Sequence, residues 1–259
     1  MSESIRIGDL TVLSAQPAHA ARPPVLFIHG YFADATVFDA WLPFFADRGF
    51  SAYAVNLRGR GGSRPSTDLG RASIADFVTD AAEVARAIGT PAVVGHSMGG
   101  LIAQRLAALG DVRAAALIAP APPRGISVLS PRLVIKQLKY LPSIIASKLV
   151  HPSREDLRDL VLNRVPAGDQ DALLDQFIPD SGRAARDMSV TGVPVEASRV
   201  HCPMLVIAAE NDRFIPMPVV TRVAARYHAP LQTMLGHGHM IVLEPGWEAV
   251  ADTIARWLA

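Results

Sequence analysis

The residues Gly95-His96-Ser97-Met98-Gly99 set a serine between two glycines, after the apolar run Ala92-Val93-Val94 and before a helix-like stretch from Leu101 to Leu109. Strand, sharp turn and helix in that order are the context a G-x-S-x-G nucleophile requires, because small flanking residues let a strained serine lift its hydroxyl clear of the strand end. Ser97 is therefore a candidate nucleophile for acyl transfer, provided that an imidazole stands ready to take its proton. Among the eight histidines, His239 is the first candidate. It lies in Gly236-His237-Gly238-His239, after the apolar stretch Leu231 to Leu235, where a flexible loop can bring an imidazole over the strand ends. His237 is its local rival, since residues two apart in an extended loop point the same way. His29 and His96 flank glycine turns and read as fixed packing or hydrogen-bonding groups; His19, His151, His201 and His228 read as surface or loop residues. A third group should hold the imidazole in one tautomer and stabilise its charged form. Asp212, just beyond the apolar run Met204 to Ala209, fits that role, with Glu210 as the rival carboxylate.

Two other chemistries are set aside. The glycine cluster Gly59-Arg60-Gly61-Gly62 lacks the lysine and the spacing of a phosphate-binding loop, so no nucleotide cofactor is expected. His237 and His239 have no accompanying ligand cluster of metal-site spacing, so no metal is expected either.

Elements must carry these residues to one place. Short β-branched runs at Val25–Ile28, Ala52–Leu57, Ala92–Gly95, Ala114–Ala119 and Met204–Ala209 alternate with helical stretches, which reads as a parallel sheet. Ser73 and Asp76 have capping-box spacing at the start of a helix whose apolar face runs through Ile74, Phe77, Val78, Ala81, Val84 and Ile88. Between Ala121 and Arg199 the strand signal stops, and helical segments succeed one another around Pro142, Pro152, Pro166 and Pro179, read as helix breaks. Within it, Pro122–Ser153 carries Arg124, Arg132, Lys136, Lys139 and Lys148 and no acid, either a solvated face or a lid attracted to acidic substrate groups or lipid headgroups. Trp247–Leu258 is an amphipathic terminal helix.

With 259 residues, half of them hydrophobic, the chain can bury a substantial core in one compact unit. A net charge of +1 supplies no field for nucleic acid or an anionic membrane, so neither is an expected partner. Cys202 is the single cysteine and excludes an intramolecular disulfide. Met1–Leu10 lacks the basic start and unbroken apolar stretch of a signal peptide, and no run is long enough for a spanning helix, so a cytoplasmic location without stable membrane insertion is expected. The oligomeric state is left open.

Together, His29-Gly30-Tyr31-Phe32, Arg58-Gly59-Arg60-Gly61-Gly62-Ser63, the turn at Ser97, Asp212 with Ile215-Pro216, and Gly238-His239 with Glu244-Pro245 resemble the α/β-hydrolase superfamily. The likeness covers nearly the whole length and is of the capped bacterial esterase, lipase and haloperoxidase-like serine hydrolase kind. It implies an α/β-hydrolase fold: a mostly parallel sheet flanked by helices, with a helical cap inserted after the sixth strand. Residues 1–120 and 200–259 would form the core domain, and 121–199 the cap, with Leu133, Leu138 and Phe177 among its pocket-shaping apolar residues. The chain order Ser97, Asp212, His239 matches that superfamily, and the spacing from His239 to Glu244 and Pro245 selects His239 over His237. The same resemblance places the oxyanion hole at the backbone N–H groups of Tyr31 and Met98, and departs from the family where Asn56 and Arg60 stand in place of its frequent Asp and His.

The activity so implied is hydrolysis of a carboxylic ester, lactone or thioester on a small acyl substrate, as a carboxylesterase or lipase would do, through an acyl-enzyme. Serine at the turn argues against the carboxylate-nucleophile relatives, the haloalkane dehalogenases and epoxide hydrolases. C–C bond hydrolysis and perhydrolysis are the alternatives, the former weakened by Met240 where such relatives commonly have tryptophan. Residues around Ser97 also differ from the Gly-Gly-x-Trp-Gly of proline iminopeptidases. A reading from another class is a non-catalytic ligand-binding receptor on the same scaffold.

Overall fold

A computed structural model describes residues 2–65, 68–128 and 135–259. Among the described residues, ten strands follow in chain order: β1 (Glu3–Ile7), β2 (Leu10–Ala15), β3 (Arg22–Ile28), β4 (Phe50–Val55), β5 (Ala92–His96), β6 (Ala114–Ile118), β7 (Leu149–Val150), β8 (Asp180–Ser181), β9 (Met204–Ala209) and β10 (Leu231–Met234). Eight of them form one sheet in the order β1-β2-β4-β3-β5-β6-β9-β10, antiparallel across β1, β2 and β4 and parallel from β4 onward. The mostly parallel sheet with flanking helices is the expected α/β-hydrolase fold.

Alternation along β3 divides the core. Leu26 and Ile28 pack with the helices α2 (Ile74–Ala87) and α3 (Met98–Leu109) on one face, and Val25 and Phe27 pack with α1 (Trp41–Ala46) and the terminal helix Trp247–Leu258 on the other. Helices on both faces explain why β5 and β9 are buried along their whole length and read as continuous apolar runs. The N-terminal strands β1 and β2 were not foreseen. β1 has no buried residue, with Ile5 and Ile7 only half-buried, and β2 alternates buried and half-buried positions before two buried ones; such short half-polar segments give little signal next to the central strands.

Between β6 and β9 the chain forms short helices and the antiparallel pair β7–β8, a strand contact that the sequence pattern does not reveal. Its prolines open helices more than they break them. Pro142 sits in the first turn of Leu141–Ile145, and Pro166 immediately precedes Ala167–Leu174. Two residues of the basic run are paired within this segment: Lys136 with Asp156 and Asp159, and Lys139 with Asp156. Arg132 and Leu133 lie outside the described residues.

The capping box at α2 forms as the spacing predicts, with the Ser73 hydroxyl accepting from the Asp76 N–H and the Asp76 carboxylate accepting from the Ser73 N–H. Ser73→Ala should lower unfolding free energy by about 1 kcal/mol. Urea denaturation should report a lower midpoint with an unchanged slope.

Candidate active site

Ser97 ends β5 and precedes α3 with φ 54° and ψ −116°, a conformation disfavoured for any residue with a side chain. The surroundings hold it there. Its N–H donates to Ile118 O at 2.9 Å and its carbonyl accepts from Ala121 N at 2.9 Å. A Cβ on Gly95 would overlap the Gly99 backbone, and one on Gly99 would overlap the Ile28 carbonyl, so both glycines answer to close backbone approach.

The sheet order then delivers the other groups. β9 ends at Ala209, and Asp212 follows in the loop, where its Oδ1 accepts from the N–H groups of Phe214 and Ile215, each at 2.8 Å. Those bonds aim Oδ2 at His239 Nδ1, 2.8 Å away. A carboxylate can only accept there, so Nδ1 carries the proton and Nε2 turns its lone pair to Ser97 Oγ at 3.1 Å. Ser97, His239 and Asp212 are all buried.

The two rivals stand elsewhere. His237 Nδ1 lies 3.1 Å from Glu244 Oε2, and the same oxygen accepts from Gly238 N at 2.8 Å. The buried Glu244 carboxylate thus engages His237, while His239, which the family spacing favours, faces Asp212 and Ser97. Glu210 is exposed and accepts from Gly236 N at 2.8 Å, staying on the loop surface.

Of the proposed amide pair, Met98 opens α3, so its N–H has no acceptor within the helix. Tyr31 follows Gly30, where a Cβ would stand 3.2 Å from Ser97 Cβ, so this turn runs beside the serine. Phe32, next along, has φ 65°.

His29 and His96 are fixed, buried groups, as their glycine-flanked positions suggest, while His19, His151, His201 and His228 are exposed. His96 Nε2 donates to the His239 carbonyl at 2.8 Å and steadies that loop from below. Burial, with the Arg60 charge second, pushes the His29 pKa down to about 4; burial, with His239 second, pushes His96 down to about 3.

The 121–199 segment contributes more than sequence patterns reveal. Asn163 Nδ2 donates to Asn211 O at 3.0 Å, Arg164 Nε to Gly236 O at 2.7 Å, and Met240 N to Val161 O at 3.2 Å, tying that segment to the loops of Asp212 and His239. Above Ser97 and His239 it helps enclose a cavity of about 140 Å³ whose walls include Phe32, Leu157, Leu160, Phe177, Met188 and Phe214. Phe177 is thus a lining residue as expected, whereas Leu138 is exposed and is not among the lining residues; from that turn Tyr140 lines the cavity instead. Among the described residues no group of His, Cys, Asp and Glu is placed to hold a metal ion, and no helix is long and apolar enough to cross a membrane.

Residues 25–253 match the model of the Alpha/beta hydrolase family. The chain belongs to that family. Over 244 residues it is 25% identical to a non-heme chloroperoxidase of Kitasatospora aureofaciens, covering 86% of this chain and 87% of that protein. Its fold is similar to the monoacylglycerol lipase of Paleococcus ferrophilus, with TM-score 0.73 and 21% identity over 96% of this chain and 98% of the lipase. It is equally similar to the 2-hydroxy-6-oxo-6-phenylhexa-2,4-dienoate hydrolase of Rhodococcus sp. strain RHA1, with TM-score 0.73 and 20% identity over 99% and 97% of the two chains. Identities this low relate this family member to both solved proteins by fold.

The buried histidines generate a pH dependence. In the folded chain both rings stay neutral down to about 4 and about 3, while the unfolded chain protonates them below about 6.5. The unfolded state therefore binds more protons as pH falls from about 6.5, and stability drops by about 2 kcal/mol per ring by pH 5 relative to pH 8. Urea midpoints at the two pH values should show the fall, and the ring signals of His29 and His96 should remain those of neutral imidazole at pH 5 in NMR spectra.

Proposed function

We propose that this chain is a serine hydrolase that cleaves a carboxylic ester of a small apolar acyl group, in the manner of a carboxylesterase or lipase. The observation that carries the reading is the hydrogen-bonded line from Ser97 Oγ through His239 to Asp212 at the floor of an apolar cavity. Ser97 Oγ attacks the acyl carbonyl while His239 Nε2 takes its proton, and the Asp212 carboxylate stabilises the imidazolium. Charge on the carbonyl oxygen is met by the N–H groups of Tyr31 and Met98, where loss of one donor typically costs about 3 kcal/mol. His239 then returns the proton to the departing alcohol. Water, deprotonated by the same nitrogen, attacks the acyl-enzyme and releases the acid and free Ser97. Residues 121–199 serve as the cap, and their apolar wall sets which acyl groups fit.

A second reading has a specific support in the likeness to a non-heme chloroperoxidase. Hydrogen peroxide would replace water in the last step, and a peracid would leave. Both readings share one acyl-enzyme, so adding peroxide during ester turnover and trapping peracid measures the division between them.

Ser97→Ala should reduce ester hydrolysis by about 10⁴-fold or more in a folded protein. His239→Ala should lose as much, with little further loss in the double variant, because groups acting as a unit are not additive. His237→Ala should keep most of the wild-type kcat. Near wild-type turnover by purified Ser97→Ala would overturn the mechanism, and the reverse histidine ranking would move the base to His237. A fluorophosphonate probe separates an enzyme from a receptor: it should add to Ser97, read by intact mass.

Phe177→Ala and Leu160→Ala should shift the relative rates across esters of increasing acyl length while leaving reactivity toward the shortest ester nearly unchanged. Identical relative rates in both variants and the wild type would remove the cap from substrate selection.

A further inference from the structure

The Tyr31 side of the proposed oxyanion hole is built differently from the Met98 side. Met98 is carried by α3 and the core sheet, whereas the turn after Tyr31 leans on the inserted segment. Phe32 N donates to Asp180 Oδ2 at 2.8 Å, Ile178 N donates to Phe32 O at 3.0 Å, and Tyr31 Oη donates to Ser181 O at 2.7 Å. Both backbone polar groups of Phe32 are thus satisfied from residues 178–181. Phe32 needs that support, because at φ 65° a bulky aromatic residue is held where L side chains rarely sit.

Asp180 is itself over-determined. It is fully buried, its Oδ1 accepts from Ser181 N at 2.6 Å, and it is ion-paired with the equally buried Arg60. Arg60 in turn donates to Arg58 O at 3.0 Å and lies over the Phe77 ring, 4.6 Å from its centre. The Ser181 hydroxyl reaches the carbonyls of Gly70 and Ala72, at 2.9 and 2.5 Å, which ties the segment to the core. The Asp180 carboxylate thus bridges the buried Arg60 guanidinium and Phe32 N, so the acceptor offered to Phe32 is fixed in place. Asp180 is not among the residues lining the cavity.

We infer that Asp180 is a positioning residue: through the Phe32 N–H it holds the turn that aims the Tyr31 N–H at the developing oxyanion, so that an inserted carboxylate completes a hole otherwise built by the core. This rests on the serine-hydrolase reading. The arrangement separates Asp180 from a mere pocket wall, because its loss frees the amide direction while leaving the apolar surface that binds the acyl group.

The test compares wild type, Asp180→Asn and Asp180→Ala on one activated ester, with a trifluoromethyl ketone that forms an oxyanion on Ser97 and an ether analogue that has no carbonyl. Asp180→Ala should lose about 10- to 100-fold in kcat, the scale of a misaimed donor, with KM within about 3-fold. Trifluoromethyl ketone affinity should fall in parallel while ether affinity holds. Asp180→Asn keeps one acceptor oxygen and should fall between; should the alanine variant not fold, it carries the test alone. Wild-type kcat in a folded variant would overturn the inference, as would a loss confined to KM and ether affinity. If wild-type protein neither turns over ester nor labels at Ser97, the hydrolase reading falls and this inference with it; an active wild type beside a fully active Asp180→Ala removes only the inference.

Discussion

The close approach of β5, α3 and the end of β3 is the constraint on which the rest of the site depends. Gly99 must pass against the Ile28 carbonyl and Gly95 against the Gly99 backbone, and this crowding turns the chain so sharply that Ser97 enters a positive-φ conformation. β3 lies on one side of β5, with Ile28 opposite Gly95, and β6 on the other, with Ile118 opposite His96. β9 follows beyond β6, with Ile207 opposite Ile118. The turn after β3, the serine and the carboxylate loop after β9 therefore emerge from neighbouring strand ends, and ligands meet an open parallel sheet at that carboxyl edge.

Much of this was legible in the sequence because the signals were local. Gly95 to Gly99 after an apolar run, the Ser73 and Asp76 pair, and the periodic terminal helix are each written within a few residues, and the structure places a strand, a capping box and a helix there. The largely exposed strand β1, its neighbour β2 and the two-residue pair β7–β8 were not legible, since so few residues with little burial contrast give weak evidence. The choice between His237 and His239 needed the family spacing to Glu244 and Pro245, because local geometry gave no preference. In the structure, the buried carboxylate seven residues beyond His237 engages that ring.

Long-range polar ties were the least legible. Nothing near Asn163, Arg164 or Asp180 in the chain announces the backbone groups they meet, because the partners lie 48, 72 and 148 residues away. Arg60 is instructive. In sequence it is only a departure from a family pattern; in the structure its guanidinium is buried against Asp180, a carboxylate supplied by the insertion. Asn56, the neighbouring departure, is buried and accepts from Ala35 N at 2.9 Å, so it serves the same loop as a neutral acceptor. The carboxylate in this region comes from 180, not from 56.

Two strained residues, Ser97 and Phe32, stand side by side in the chain's proposed chemistry and are stabilised by different parts of the molecule. Strain persists only where surroundings over-determine the backbone. For Ser97 those surroundings are strands and a helix of the central sheet, the part of a fold that opens last. For Phe32 they are residues 178–181, held to the core by one buried ion pair and a few hydrogen bonds. Without those contacts the turn after β3 would lose its support, whereas the β5–α3 turn would keep its own. The contacts that hold residues 178–181 against the core also hold the Phe32 backbone beside the serine, so this part of the cavity wall and the turn after β3 share one support.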